Sequence, residues 1–166
     1  MSSVLKVDAI QNTAGTSALT IDSNGVVTTP STSRPAFHVQ LSSNINSTVA
    51  AAGVVFDEVS LNQGSHYSTS TGRFTAPVAG LYWFSVRCLT DMDGTDGYAT
   101  VNLTKNGSTY ARDQTYSFED NDHSAGTSLV MYLAASDYIA VTANRGIYGS
   151  SGGSANYTHF SGYLIG

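Results

Sequence analysis

Two segments of this chain carry large apolar side chains at nearly every position. Leu129, Met131 and Leu133 alternate with Val130 and Tyr132, and Leu81, Trp83 and Leu89 alternate with Tyr82, Phe84, Val86 and Cys88. Successive side chains of a strand leave on opposite faces, so each segment predicts a strand with two apolar faces. One face fills a core. The other would be an exposed patch on a monomer, which soluble monomers rarely tolerate, so burial against further copies of the chain is the simplest outcome.

The rest of the sequence predicts an all-β protein. Ser, Thr, Gly, Asn and Tyr are abundant and no window has helical periodicity. Phe37, Val39 and Leu41 alternate with His38 and Gln40, a half-buried strand. Further strands are predicted at 54–56, 73–75, 81–90, 98–104, 109–117, 127–134, 138–143 and 158–165, with a hairpin turn at Lys105-Asn106-Gly107-Ser108. Short strands at this spacing specify a sandwich or jelly roll. Residues 1–33 differ: two short apolar pieces are split by Asn12-Thr13-Ala14-Gly15, and Asp22-Ser23-Asn24-Gly25 precedes Val26-Val27. Such a segment is too small to own a core. A polar, Pro-bounded linker at 28–35 closes it, which predicts an arm and linker over 1–33 and the main domain over 34–166.

Charge excludes several classes. Charged residues are 11 % of the chain and the net charge is −5, the wrong balance for gripping nucleic-acid phosphates. No stretch approaches a membrane span, and no basic n-region with an apolar run opens the chain. The single cysteine, Cys88, permits no intrachain disulfide and reads as a small core residue. Enzyme signals are weak. Gly149-Ser150-Ser151-Gly152-Gly153 fits Gly-x-Ser-x-Gly but lies in a Gly/Ser-rich loop with no helix after it. His38, His66, His123 and His159 share no metal-ligand spacing. No catalytic residue is assigned.

The spacing of Phe56, Asn62, Tyr67, Phe74, Gly80, Tyr82 and Phe84 resembles the signature of the complement C1q-type domain. Phe160-Ser161-Gly162-Tyr163-Leu164 is similar to that family's last strand and Ala36-Phe37-His38-Val39 to its first, while Val86 stands where the family has an aromatic. The resemblance covers about residues 36–166 and implies an antiparallel ten-stranded jelly roll of C1q/TNF type, assembled as a homotrimer. Residues 5–30 resemble the start of tail-fibre and related virion proteins of marine bacteriophages. That implies docking to other virion proteins through residues 1–33, with Leu5, Val7, Ile10, Leu19 and Ile21 as the anchor, and localisation at the surface of a phage particle. The Gly-x-y stalk of the animal C1q proteins is absent from this arm.

In an antiparallel path connections alternate between the two ends, so the long polar loops at 91–97, 118–126 and 145–156 fall together, away from Ala36 and Gly166. Exposed loops on a rigid scaffold concentrate binding function. Tyr110, Tyr116, Tyr148 and Tyr157 are receptor-binding candidates, since tyrosine gives flat amphipathic contact area suited to a host glycan or protein; the competing reading is that they cover the sheet. Asp91, Asp93 and Asp96, with Asp120 and Asp122 nearby, offer the hard oxygens that Ca2+ takes. Some members of the C1q family bind calcium near the trimer axis. The competing reading is a pair of solvated acidic turns, and no cofactor is required. The sequence therefore favours a trimeric virion fibre or spike for host adhesion, with a capsid decoration protein and a free soluble ligand-binding module as alternatives.

Overall fold

The computed structural model describes residues 7–28, 34–92, 94, 96–117, 122–150 and 157–166. The chain divides into two compact units, Met1–Arg34 and Pro35–Gly166.

The first unit is a three-stranded antiparallel meander of β1 (Ala9–Gln11), β2 (Ser17–Ile21) and β3 (Val27–Thr28). Its two turns share one chemistry. The Asn12 carboxamide oxygen accepts the N–H groups of Ala14 (3.0 Å) and Thr16 (2.9 Å), and the Asp22 carboxylate accepts those of Asn24 and Val26 (both 2.8 Å). Each turn then needs a left-handed residue, supplied by Gly15 (φ 81°) and Gly25 (φ 79°). No residue described in this unit is buried.

The second unit is an all-β jelly-roll sandwich. Its strands are β4 (Ala36–Gln40), β5 (Glu58–Gln63), β6 (Tyr67–Ser68), β7 (Arg73–Thr75), β8 (Gly80–Asp91), β9 (Gly97–Lys105), β10 (Ser108–Ser117), β11 (His123–Leu133), β12 (Tyr138–Ala143), β13 (Gly146–Tyr148) and β14 (His159–Leu164). One sheet has the order β11-β8-β14-β4-β5, with β13 added on β8; the other has the order β10-β9-β12-β7-β6. Pairing is antiparallel throughout.

Aromatic rings fill the space between the sheets. Phe37 stacks on Phe74 (4.9 Å) and Tyr67 (5.3 Å) and meets Phe160 edge-on (4.8 Å). Phe56, Phe74, Tyr82, Phe84 and Phe160 are fully buried, as is Val86 in its place on the same face of β8. Gly162 is required here by close approach, because a Cβ would sit 2.4 Å from the Phe84 ring and 2.8 Å from that of Phe37. Gly80, which opens β8, is packed just as closely: a Cβ would lie 2.8 Å from Leu164. Cys88 is buried on this face, and burial pushes its thiol up to about 12.

The sequence predicts a strand at Val54-Val55-Phe56, but these residues lie outside any strand. Val54 N–H donates to Val141 O (2.8 Å), Phe56 N–H donates to the Tyr67 hydroxyl (3.1 Å), and that hydroxyl donates to Phe56 O (3.2 Å). A buried side chain replaces the ladder. Asn62 performs the companion task from β5, donating to Tyr67 O (2.8 Å) and accepting from Tyr67 N–H (3.0 Å). The structure also holds a helix where none was expected, α1 (Ser47–Ala52), capped by Asn46, whose side chain accepts Val49 N–H at 3.0 Å. Six residues are too few for periodicity to register. Replacing Tyr67 by Phe is expected to lower stability by about 1–3 kcal/mol, because it orphans a buried N–H and C=O together; an unchanged denaturation midpoint would contradict this.

At the end of the sandwich near Ala36 two turns are clamped together. Asn106 (φ 51°) and Gly107 form the β9–β10 hairpin. The Asp137 carboxylate accepts from Asn106 (2.7 Å) and Ala134 N–H (2.8 Å) and pairs with Lys105 (2.9 Å). These donors, the Asn106 amide first, hold its pKa down at about 2. A folded-state value below the unfolded one makes the clamp fully stabilising above about pH 4 and lost as pH falls toward about 2. Asp137→Asn is expected to flatten the acid limb of a stability–pH profile across that window; parallel limbs would contradict it.

Candidate binding surfaces

The registers settle which strand ends share an end of the sandwich. His159 lies opposite both Gln40 and Arg87, and Tyr163 opposite Ala36 and Trp83. Gly80 pairs with Leu133, Lys105 with Ser108, and His123 with Thr90. Asp91, Gly97, Ser117, His123, Ala143 and His159 therefore bound the connections at the end remote from Ala36. The long connections do fall together, and they are shorter than expected, because β11 begins at His123 and β13 pairs Tyr148 with Leu89.

That remote end carries a built aromatic cluster. Tyr98 and Tyr116 face each other across β9 and β10, with ring centroids 4.9 Å apart in a T-shape, and they are 55 % and 40 % exposed. Asn144 fixes the strand beneath them, donating to Tyr98 O (2.9 Å) and accepting Thr100 N–H (2.7 Å). Tyr98 is not among the tyrosines expected at this end from the sequence; its place opposite Tyr116 follows from the register of the Asn106-Gly107 hairpin. Tyr157 is exposed near the same end. Tyr148 is half-buried in a strand, not in a loop. Tyr110 sits two residues into β10, at the opposite end of the sandwich.

The expected calcium ligands do not converge among the described residues. Asp91 is half-buried at the end of β8, Asp96 and Asp122 are exposed, and no group of three His, Cys, Asp or Glu side chains described here could hold a metal ion. Asp93 and Asp120 lie outside the described residues, as do Ser151 and the anchor candidate Leu5.

The second surface is the outer face of the β11-β8-β14-β4-β5 sheet, which changes character along its length. Toward the Ala36 end it is apolar: Leu81, Val130, Tyr132 and Tyr163 are 46 %, 52 %, 59 % and 47 % exposed, and the Trp83 and Tyr163 rings lie 5.4 Å apart. Toward the remote end it is polar and internally satisfied. The Gln40 amide meets His38 Nε2 (3.0 Å), whose Nδ1 bonds Ser161 (2.6 Å). Arg87 donates to Ser124 (3.0 Å), Ser128 to Ser85 (2.7 Å), and the Asp113 carboxylate accepts Gly126 N–H (2.8 Å). The bonded pairs Arg87–Ser124, Ser85–Ser128 and Asp113–Gly126 also line a groove of 380 Å³.

A two-sheet jelly roll with this aromatic core and an apolar outer face is the architecture of the C1q/TNF class. Residues 36–165 match the C1q domain family, and the chain belongs to it. Human complement C1q tumor necrosis factor-related protein 3 is 28 % identical over 114 residues, covering 69 % of this chain and 45 % of that protein. Human complement C1q and tumor necrosis factor-related protein 9B is 30 % identical over 116 residues, covering 68 % and 33 %. The chain thus spans less than half the length of these curated relatives. Among solved structures, the globular domain of zebrafish complement 1qA superposes with a TM-score of 0.63 at 17 % identity, covering 80 % of this chain and 98 % of that one. The Eiger TNF of S. frugiperda gives 0.61 at 13 %, covering 80 % and 92 %.

Proposed function

We propose that this chain forms a homotrimeric, non-enzymatic ligand-binding head of C1q type. The carrying observation is the apolar end of the outer sheet face, where Leu81, Trp83, Val130, Tyr132 and Tyr163 cluster on strands already packed on their other side. An obligate interface of that kind typically buries a few thousand Å² and is hydrophobic. Tyr132→Asp is expected to convert the trimer to monomer by placing a charge in that seam, read by sedimentation; a Tyr132→Asp trimer would contradict the assignment.

Ligand contact is assigned to the remote end, at Tyr98, Tyr116 and Tyr157, with a cell-surface glycan or protein as the ligand class. Three copies of a weak site gain roughly 10² to 10⁴ in avidity, so Tyr98→Ala with Tyr116→Ala is expected to abolish cell binding while leaving the mass unchanged. Tyr110→Ala, at the other end, is expected to leave binding intact. Equal losses from both would place the ligand elsewhere.

A second reading makes the same head a bacteriophage virion protein, either a fibre or spike that contacts the host or a capsid decoration protein. It is favoured by the resemblance of residues 5–30 to phage fibre starts and by the β-meander that β1–β3 form within that segment. Its anchor would be Val7, Ile10, Leu19 and Ile21, with Leu5. Mass spectrometry of purified particles tests it: the chain at stoichiometric level supports a virion role, and its absence from particles leaves the free ligand-binding head.

A further inference from the structure

We infer that the N-terminal meander is a second trimerisation element: three copies of β1–β3, one from each chain, pack one apolar face together as a β-structured stalk. The inference rests on the homotrimer reading of the head.

The register defines the face. Ile10 lies opposite Leu19, and Ile21 opposite Val27, while Leu19 and Ile21 leave β2 on the same side. Ile10, Leu19, Ile21 and Val27 thus form one apolar stripe across the three strands. The other side of β1 and β2 carries Ala9, Ala18 and Thr20, small or polar side chains suited to water. Among the described residues of the unit none buries the stripe: Ile10 is 52 % and Val27 56 % exposed, and Leu19 and Ile21 are only half-buried. Strands this short, with none of their described residues buried, have little core of their own, and a three-stranded sheet is stable in water only when its apolar face is packed. Yet the meander is specified in detail, with the same turn built twice: a side chain accepting two backbone N–H groups, closed by a left-handed glycine.

The occupant must be a surface present whenever the chain folds, and the same stripe on sister chains meets that requirement. Ala36 lies opposite Tyr163, inside the apolar patch assigned to the head interface, so three chains would enter their heads close together. Residues 29–35 reach at most about 25 Å, which keeps three arms at an effective concentration near the millimolar range. A threefold stack also buries each stripe equally and leaves Ala9, Ala18 and Thr20 outward.

Hydrogen exchange on the full-length protein, with its mass measured in parallel, tests this. In the trimer the amides of Asn12, Ile21 and Asp22, bonded in the structure to Thr16 O, Asp8 O and Val26 O, are expected to exchange at least about 100-fold more slowly than unstructured amides. Leu19→Asp is expected to abolish that protection with the trimer mass retained, and Ala18→Asp on the outward side to preserve it. Leu19→Cys is expected to form interchain disulfides on mild oxidation, Cys88 being buried. Unprotected wild-type amides, protection unaffected by Leu19→Asp, or a Leu19→Cys trimer that stays uncross-linked would each overturn the stalk. A chain that is monomeric before any substitution would instead overturn the head trimer beneath it, and the mass alone distinguishes that failure.

Discussion

The sheet β11-β8-β14-β4-β5 carries apolar side chains on both faces, while the fold has one core in which to place them. Tyr82, Phe84, Val86 and Cys88 face inward from β8 and are buried; Leu81 and Trp83 leave the same strand on the other side. Most other features follow from this asymmetry. The inward face demands tight aromatic packing, which in turn requires Gly162 against Phe84 and Phe37. The outward face is an apolar patch of the kind soluble monomers rarely leave uncovered, and the proposed trimer seam is placed there for that reason.

Polar groups show the same economy. Where the core interrupts regular pairing, single side chains replace the lost ladder. The Tyr67 hydroxyl serves both backbone groups of Phe56, and Asn62 serves both of Tyr67. The signature positions are thus structural, since each one packs the core or satisfies backbone that no strand can reach. The connections at the remote end are free of that constraint, which is why the proposed ligand contact is placed there.

Much of the fold was legible because alternation is a strong signal. The two apolar faces of β8 and β11 follow from runs with large apolar side chains at nearly every position, while their mutual register comes from the structure. What was missed lacked such periodicity. Val54 and Phe56 read as a strand because they are β-formers, but their backbone is held by Tyr67 and Val141, partners remote in sequence. α1 depends on one Asn cap and a run of alanines. β13 is three residues long and is held by β8 on one side and by Ile45 on the other, partners remote in sequence. The remote end was half legible: the long connections group by parity of strand direction, whereas pairing Tyr98 with Tyr116, or moving Tyr110 to the other end, requires the hairpin register.

Native mass spectrometry of the unmodified chain at micromolar concentration tests the central claim most directly. The account predicts a species of 52.2 kDa, three times the 17.4 kDa chain, persisting on dilution as expected of an obligate hydrophobic interface. A stable species at 17.4 kDa would contradict it, since Leu81, Trp83, Val130, Tyr132 and Tyr163 would then be tolerated in water.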